Sequence, residues 1–310
     1  MEASTGIAAY NDASASPWIK CLDEIRQDDA VGIEALMSDI FRNLLTSTSE
    51  SAAAEAAQQV DTCYQDDYLP SDPFMKFLDD KGMGGFLNSL YEIVFDLARA
   101  IPYDHELQER LLQFLHELTK LPARKAKIWN EECHVYEKDP ILPSVLDDNW
   151  NGSFPSHPYD PEDPSSRKSL EEWVNFSTFL ARCIKSGLLD KFDGWGRYPA
   201  VEIRKALEEN PGQGPRRDCL VMVAAQYLLV AGNKIHHQFV DQYAIGSQER
   251  QRGLEAWGLW SGRLQVLADG QGLKPEVEHA VKDARRLMLS LEPSIAAEPR
   301  DTAEKEEVVE

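Results

Sequence analysis

Leu220-Val221-Met222-Val223-Ala224-Ala225-Gln226-Tyr227-Leu228-Leu229-Val230-Ala231 is apolar on every side except at one glutamine. At 3.6 residues per turn such a run leaves no polar face to meet water, so a helix here belongs inside a bundle, enclosed by others. The whole apolar run, Cys219 to Gly232, has 14 residues, too few to span a bilayer. It predicts the central helix, 219–232, of a soluble fold.

Outward from that helix the same kind of pattern repeats. Apolar residues recur at i, i+3, i+4 and i+7, the spacing of one helical face. Before it come Ile33 to Leu45, an Ala-rich helix capped by Ser49, Phe86 to Ile101 ending at Pro102, and Leu107 to Leu118 with Asp104 as N-cap. The short link at 102–106 predicts that the last two pack as an antiparallel pair. A capping box, Ser169-x-x-Glu172, opens the helix carrying Trp173, Phe176, Leu180 and Ile184. After the central helix come Leu254 to Ala268 and Val277 to Leu291. No strand is predicted. The fold class expected is all-α: a single globular bundle of roughly ten helices around 219–232. The 170–188 and 254–268 helices are the expected partners of that central helix.

Domain limits follow from composition. Residues 1–16 are small and polar and read as a disordered N-terminus; 17–291 read as the all-α domain; 292–310 read as a disordered acidic tail. Six prolines between Pro140 and Pro164 predict an irregular loop at 140–166, with Trp150 and Phe154 anchoring it.

The net charge of −21 is unevenly placed, with 28 acids against 12 bases in residues 1–150 and neutrality across 151–291. Such a surface repels nucleic acid and anionic membranes, and favours a protein partner with a basic surface. Oligomeric state is not legible. Five scattered cysteines, with no C-x-x-C and no basic-plus-apolar leader at Met1, predict a reduced cytoplasmic protein without a zinc site.

No reactive constellation assembles in the sequence, so catalytic residues stay unknown, and metal ligands and cofactors are read as none. His236-His237 are adjacent, about 100° apart on a helix, and cannot share one ion as an i, i+4 pair does; a surface or capping role is expected. His116-Glu117 lacks the second histidine of a zinc-protease helix, because Lys120 stands there. Lys81-Gly82-Met83-Gly84-Gly85 lacks the phosphate-loop lysine and reads as a turn. The candidate pocket residues are Trp173, Asn175, Arg182, Gln226 and Trp257. Gln226 must find a partner inside the apolar helix, and a Gln226–Arg182–Asn175 cluster would be either the heart of a pocket or a network fixing helix register, the latter being favoured.

The order of segments carries a resemblance. Trp129-Asn130 and Leu142-Pro143 precede Trp173-x-Asn175-x-x-x-Phe179-x-Ala181-Arg182, then Ala224-Ala225-Gln226-Tyr227 with Ala231-Gly232, then Leu254-x-x-Trp257-x-x-Trp260. Over residues 30–290 this resembles a fungal family of uncharacterised helical proteins, domain of unknown function 3632. The chain departs from it in the Pro/Asp-rich stretch at 155–164 and at Tyr227, where tryptophan is expected. The resemblance implies an intracellular, all-helical protein with no established reaction and no catalytic residues to carry over. Family members in fungal biosynthetic gene neighbourhoods imply an alternative, an accessory small-molecule-binding protein or enzyme of secondary metabolism. The residues themselves favour a non-enzymatic interaction or scaffold protein.

Overall fold

The computed structural model describes residues 16–28, 32–64, 82–153, 160 and 162–291. These are 74% helical. The helices are α1 (Pro17–Asp28), α2 (Ile33–Thr46), α3 (Ala52–Cys63), α4 (Gly82–Ala100), α5 (Leu107–Leu118), α6 (Ile141–Ser153), α7 (Pro164–Ser186), α8 (Arg197–Leu207), α9 (Gly214–His236), α10 (Gln248–Asp269) and α11 (Pro275–Leu291). Between α5 and α6 lies a hairpin, β1 (Lys125–Ile128) and β2 (Glu131–His134). Of the disordered ends expected at 1–16 and 292–310, all but Ser16, which is buried, lie outside the described residues, as does the Phe154 anchor.

The apolar run is the core of α9. Val221, Val223, Ala224, Ala225, Tyr227 and Leu228 are wholly buried, while Leu229 and Val230 are half-buried. With its π-helical extension His237–Asp241 the helix runs longer than the run itself, to a length and apolarity that would cross a membrane, but 78% of its most apolar window is buried inside the fold. Its main neighbours are α7, α11 and α8. The expectation for α10 is corrected: it packs on α11 and on the π-helical turn, and meets α9 at its end, where Trp257 lies edge-on to His236 at 4.8 Å. The place along α9 belongs to α11, whose inward face of Val277, Ala280, Val281 and Ala284 is small enough for close approach.

Several local expectations are also corrected. Within the loop expected at 140–166, Ile141–Ser153 form α6 and Pro164 opens α7, while residues 154–159 and 161 lie outside the described residues. Pro140 precedes the helix and Pro143 falls in its first turn, where no N–H is needed. Asp139 supplies the cap, accepting from Ile141 N and Leu142 N at 3.0 Å each. α7 begins before Ser169: Asp163 accepts from Ser165 N, Pro164 stands at the first helical position, and Ser169 bonds back to Ser165 O within the helix. The N-cap position of α5 is Glu106 rather than Asp104, and His105 Nδ1 accepts from Leu107 N at 3.1 Å. α5 packs mainly on α3, touching its sequence neighbour α4 little. Gly82, Met83, Gly84 and Gly85 form the first turn of α4 rather than a loop.

The hairpin escaped the periodicity because each strand has four residues and little burial. Its two-residue turn, Trp129-Asn130, has both residues at positive φ, 50° and 67°. That is the geometry usually signalled by Asn-Gly.

Candidate functional site

Three helices begin around one cleft. On α7, residues Arg167, Leu170, Glu171, Val174 and Asn175 fall at i, i+3, i+4, i+7 and i+8, one stripe of the helix; on α9, Pro215, Asp218, Cys219 and Met222 repeat that geometry. Lys274, Glu276 and Val277 at the start of α11, and Pro102 and Tyr103 from the α4–α5 turn, complete the wall. The cleft encloses about 560 Å3, within the range of small-molecule sites. Its floor is apolar, made of buried Leu170, Val174, Cys219, Met222 and Val277. Arg167, Glu171, Lys274 and Glu276 are exposed at the rim. Burial, helped by the carboxylates of Asp104 and Glu276, pushes the Tyr103 phenol upward, so it stays a neutral donor. Burial pushes the Cys219 thiol up to about 12, so it is protonated at neutral pH and no nucleophile.

The five sequence candidates divide among four places, and of them Asn175 alone lines this cleft. Asn175 and Arg182, two turns apart on α7, both grip the α4–α5 turn. Tyr103 N donates to Asn175 Oδ1 at 2.9 Å, Asn175 Nδ2 donates to Arg99 O at 2.7 Å, and Arg182 Nη2 donates to Tyr103 O at 3.1 Å. Gln226 is not in that knot. It lies one turn beyond Met222 on the cleft-facing stripe, its Nε2 3.6 Å from the Met222 sulfur. Trp257 belongs with His236 and Trp260, its indole donating to Met288 O at 3.4 Å.

Trp173 is 1% exposed and faces a buried carboxylate that the sequence reading passed over, Glu202 of α8. Lys205 Nζ reaches Glu202 Oε1 at 3.0 Å, and Tyr227 and Ser177 lie beside the same knot. Burial pushes the Glu202 carboxyl above its usual range, against the pull of Lys205 and Trp173. This knot ties α7, α8 and α9 together. The one legible sign of it was an acid on the inward stripe of a helix, Tyr198, Glu202, Ala206.

The surface or capping role expected for His236-His237 holds for His237, the C-cap of α9, and is corrected for His236. It is buried, with Nδ1 2.8 Å from Asp241 Oδ2 across the π-helical turn, whereas His237 is exposed. Among the described residues no three His, Cys, Asp or Glu side chains converge to hold a metal.

No curated protein and no solved structure matches this chain. One family model does, over residues 91–264, from within α4 to within α10, a narrower span than the 30–290 of the sequence resemblance. Because that match covers more than half of the chain, this protein belongs to the family described as protein of unknown function (DUF3632).

Proposed function

We propose that this protein is a non-enzymatic binding protein that takes an apolar small molecule into the cleft between α7, α9 and α11. The observation that carries the reading is the cleft itself, about 560 Å3 with a continuous apolar floor built from three helices. A stripe of Leu170, Val174, Met222 and Val277 at the base of an open cleft gains free energy from any apolar group that displaces water there, about 25 cal/mol per Å2 covered. The chemistry around the floor supports binding over turnover. The Cys219 thiol is held protonated, and Asn175 is occupied by two backbone bonds. This reading moves from the scaffold role that the sequence favoured toward its alternative. None of the five cysteines is in a disulfide, which supports a reducing, cytoplasmic setting.

The test is displacement of a neutral solvatochromic dye, Nile red, from the full-length protein and from Val174→Phe, which fills the floor. Saturable dye binding that Val174→Phe weakens at least about tenfold, with an unchanged far-ultraviolet dichroism spectrum, is the expected result. Equal binding by both proteins would place the dye elsewhere and overturn the assignment.

A further inference from the structure

One charge in the cleft lies deep and four lie shallow. Arg167 and Lys274 balance Glu171 and Glu276, and all four stand exposed at the rim, where water and salt screen them. Asp218 differs from them. Its side chain is 9% exposed and it shares the α9 stripe with Cys219 and Met222. Its nearest cation, Arg217 Nη2, lies 3.6 Å from Oδ1, outside hydrogen-bond reach, and Oδ1 accepts no hydrogen bond. That same Nη2 donates instead to Gly272 O, so the Arg217–Asp218 contact is an ion pair without a hydrogen bond. Asp218 also sits in the second turn of α9, past the unbonded N–H groups that would otherwise satisfy a carboxylate.

A desolvated carboxylate short of a donor, beside an apolar floor, selects what binds there. Resting on the reading of the cleft as a ligand site, we propose that the ligand is an organic ammonium, with its alkyl or aryl body over Val174, Met222 and Val277 and its protonated nitrogen on Asp218. A neutral isostere supplies a donor without the charge. An anion of the same shape meets Asp218 with like charge, and the two cations that line the cleft among the described residues, Arg167 and Lys274, lie out in the solvent.

The test uses the full-length protein and three probes of one shape, 4-butylbenzylamine, 4-butylbenzyl alcohol and 4-butylbenzoate, titrated calorimetrically at neutral pH. The amine is expected to bind about tenfold or more tighter than the alcohol, and the benzoate more weakly than either. Asp218→Asn should bring amine and alcohol to within about threefold while leaving the alcohol unchanged. Should that variant fail to fold, salt dependence on the native protein decides. A preference set by buried Asp218 persists at high salt, whereas one set by the rim disappears. Equal binding of the three probes, or an amine preference that survives Asp218→Asn, overturns the ammonium assignment and leaves the cleft standing. Binding that Val174→Phe does not affect, or no binding at all, overturns the cleft as well.

Discussion

At Gly253 a missing methyl group sets how closely α10 approaches the π-helical turn. A Cβ there would lie 1.9 Å from the Phe239 carbonyl oxygen and 2.8 Å from its carbon, both backbone atoms that have nowhere to go. Gly253→Ala is therefore expected to cost about 3 kcal/mol, read from the denaturant midpoint. Gly262, on the same helix, has nothing within 4 Å of its would-be Cβ, so Gly262→Ala should stabilise by about 1 kcal/mol through helix propensity. Equal effects at the two sites would contradict the packing. Glu202 invites a test of sign. Its folded pKa is raised above the unfolded value of 4.5, so ionisation is penalised in the fold. The penalty is complete above the folded pKa, shrinks as pH falls through it, and is gone below the unfolded value. Glu202→Gln keeps an acceptor for Lys205 and Trp173 without the charge. Its stability relative to the native protein should be greatest near about pH 8 and least near about pH 4. A difference that does not change with pH would show that the carboxylate is not what the burial acts on.

Elements were legible wherever one face carries the burial. α9 could be read from the absence of any polar face, and α2, α4, α7 and α11 from stripes whose residues are now the core. What escaped has local physical causes. α6 is hidden by its flanking and internal prolines, which read as irregular chain, whereas Pro143 falls where a helix has no N–H to lose. The hairpin was hidden because its turn uses Trp129-Asn130 and its strands bury almost nothing. Packing order was harder still, since an inward face does not say which neighbour it meets, and α11 took the place expected of α10. In the cleft, Asn175 was found through its motif, but Asp218 was not, because one acid at the start of a helix carries no signal until its burial is known. Two elements yield direct tests. Asp139 holds the first turn of α6 and also accepts from the Tyr91 hydroxyl at 2.9 Å. Asp139→Ala should cost about 2–4 kcal/mol, from the lost cap and a stranded buried phenol. A loss under about 0.5 kcal/mol would mean that α6 is held by packing alone. In α9, Leu228 is wholly buried, so Leu228→Asp places a carboxylate with no partner in the core and should abolish soluble expression. A soluble variant with an unchanged melting temperature would show that α9 is not central.

Across the whole molecule one hydrophobic cluster runs without a break from Trp18 in α1 to Met288 in α11. The family match, 91–264, is narrower than that core: it starts inside α4, stops inside α10 and leaves α1–α3 and α11 outside. The two spans predict different behaviour on truncation. α11 buries Val277, Val281 and Met288 against the bundle, each with 3% exposure or less. At about 1.5–3 kcal/mol per large apolar side chain, losing these three removes about 5–9 kcal/mol. That is most or all of the roughly 5–15 kcal/mol by which a domain is stable. The cut also uncovers the flank of α9 on which α11 lies, a largely buried apolar helix. The intact chain should therefore unfold in one cooperative step, with tryptophan fluorescence and far-ultraviolet dichroism giving coincident denaturation curves. A fragment limited to 91–264 should lack that transition and aggregate. Separate transitions in the intact chain would show two domains meeting near α6. A soluble 91–264 fragment that melts cooperatively with native helicity would show that the matched region folds alone and that the flanking helices are additions to it.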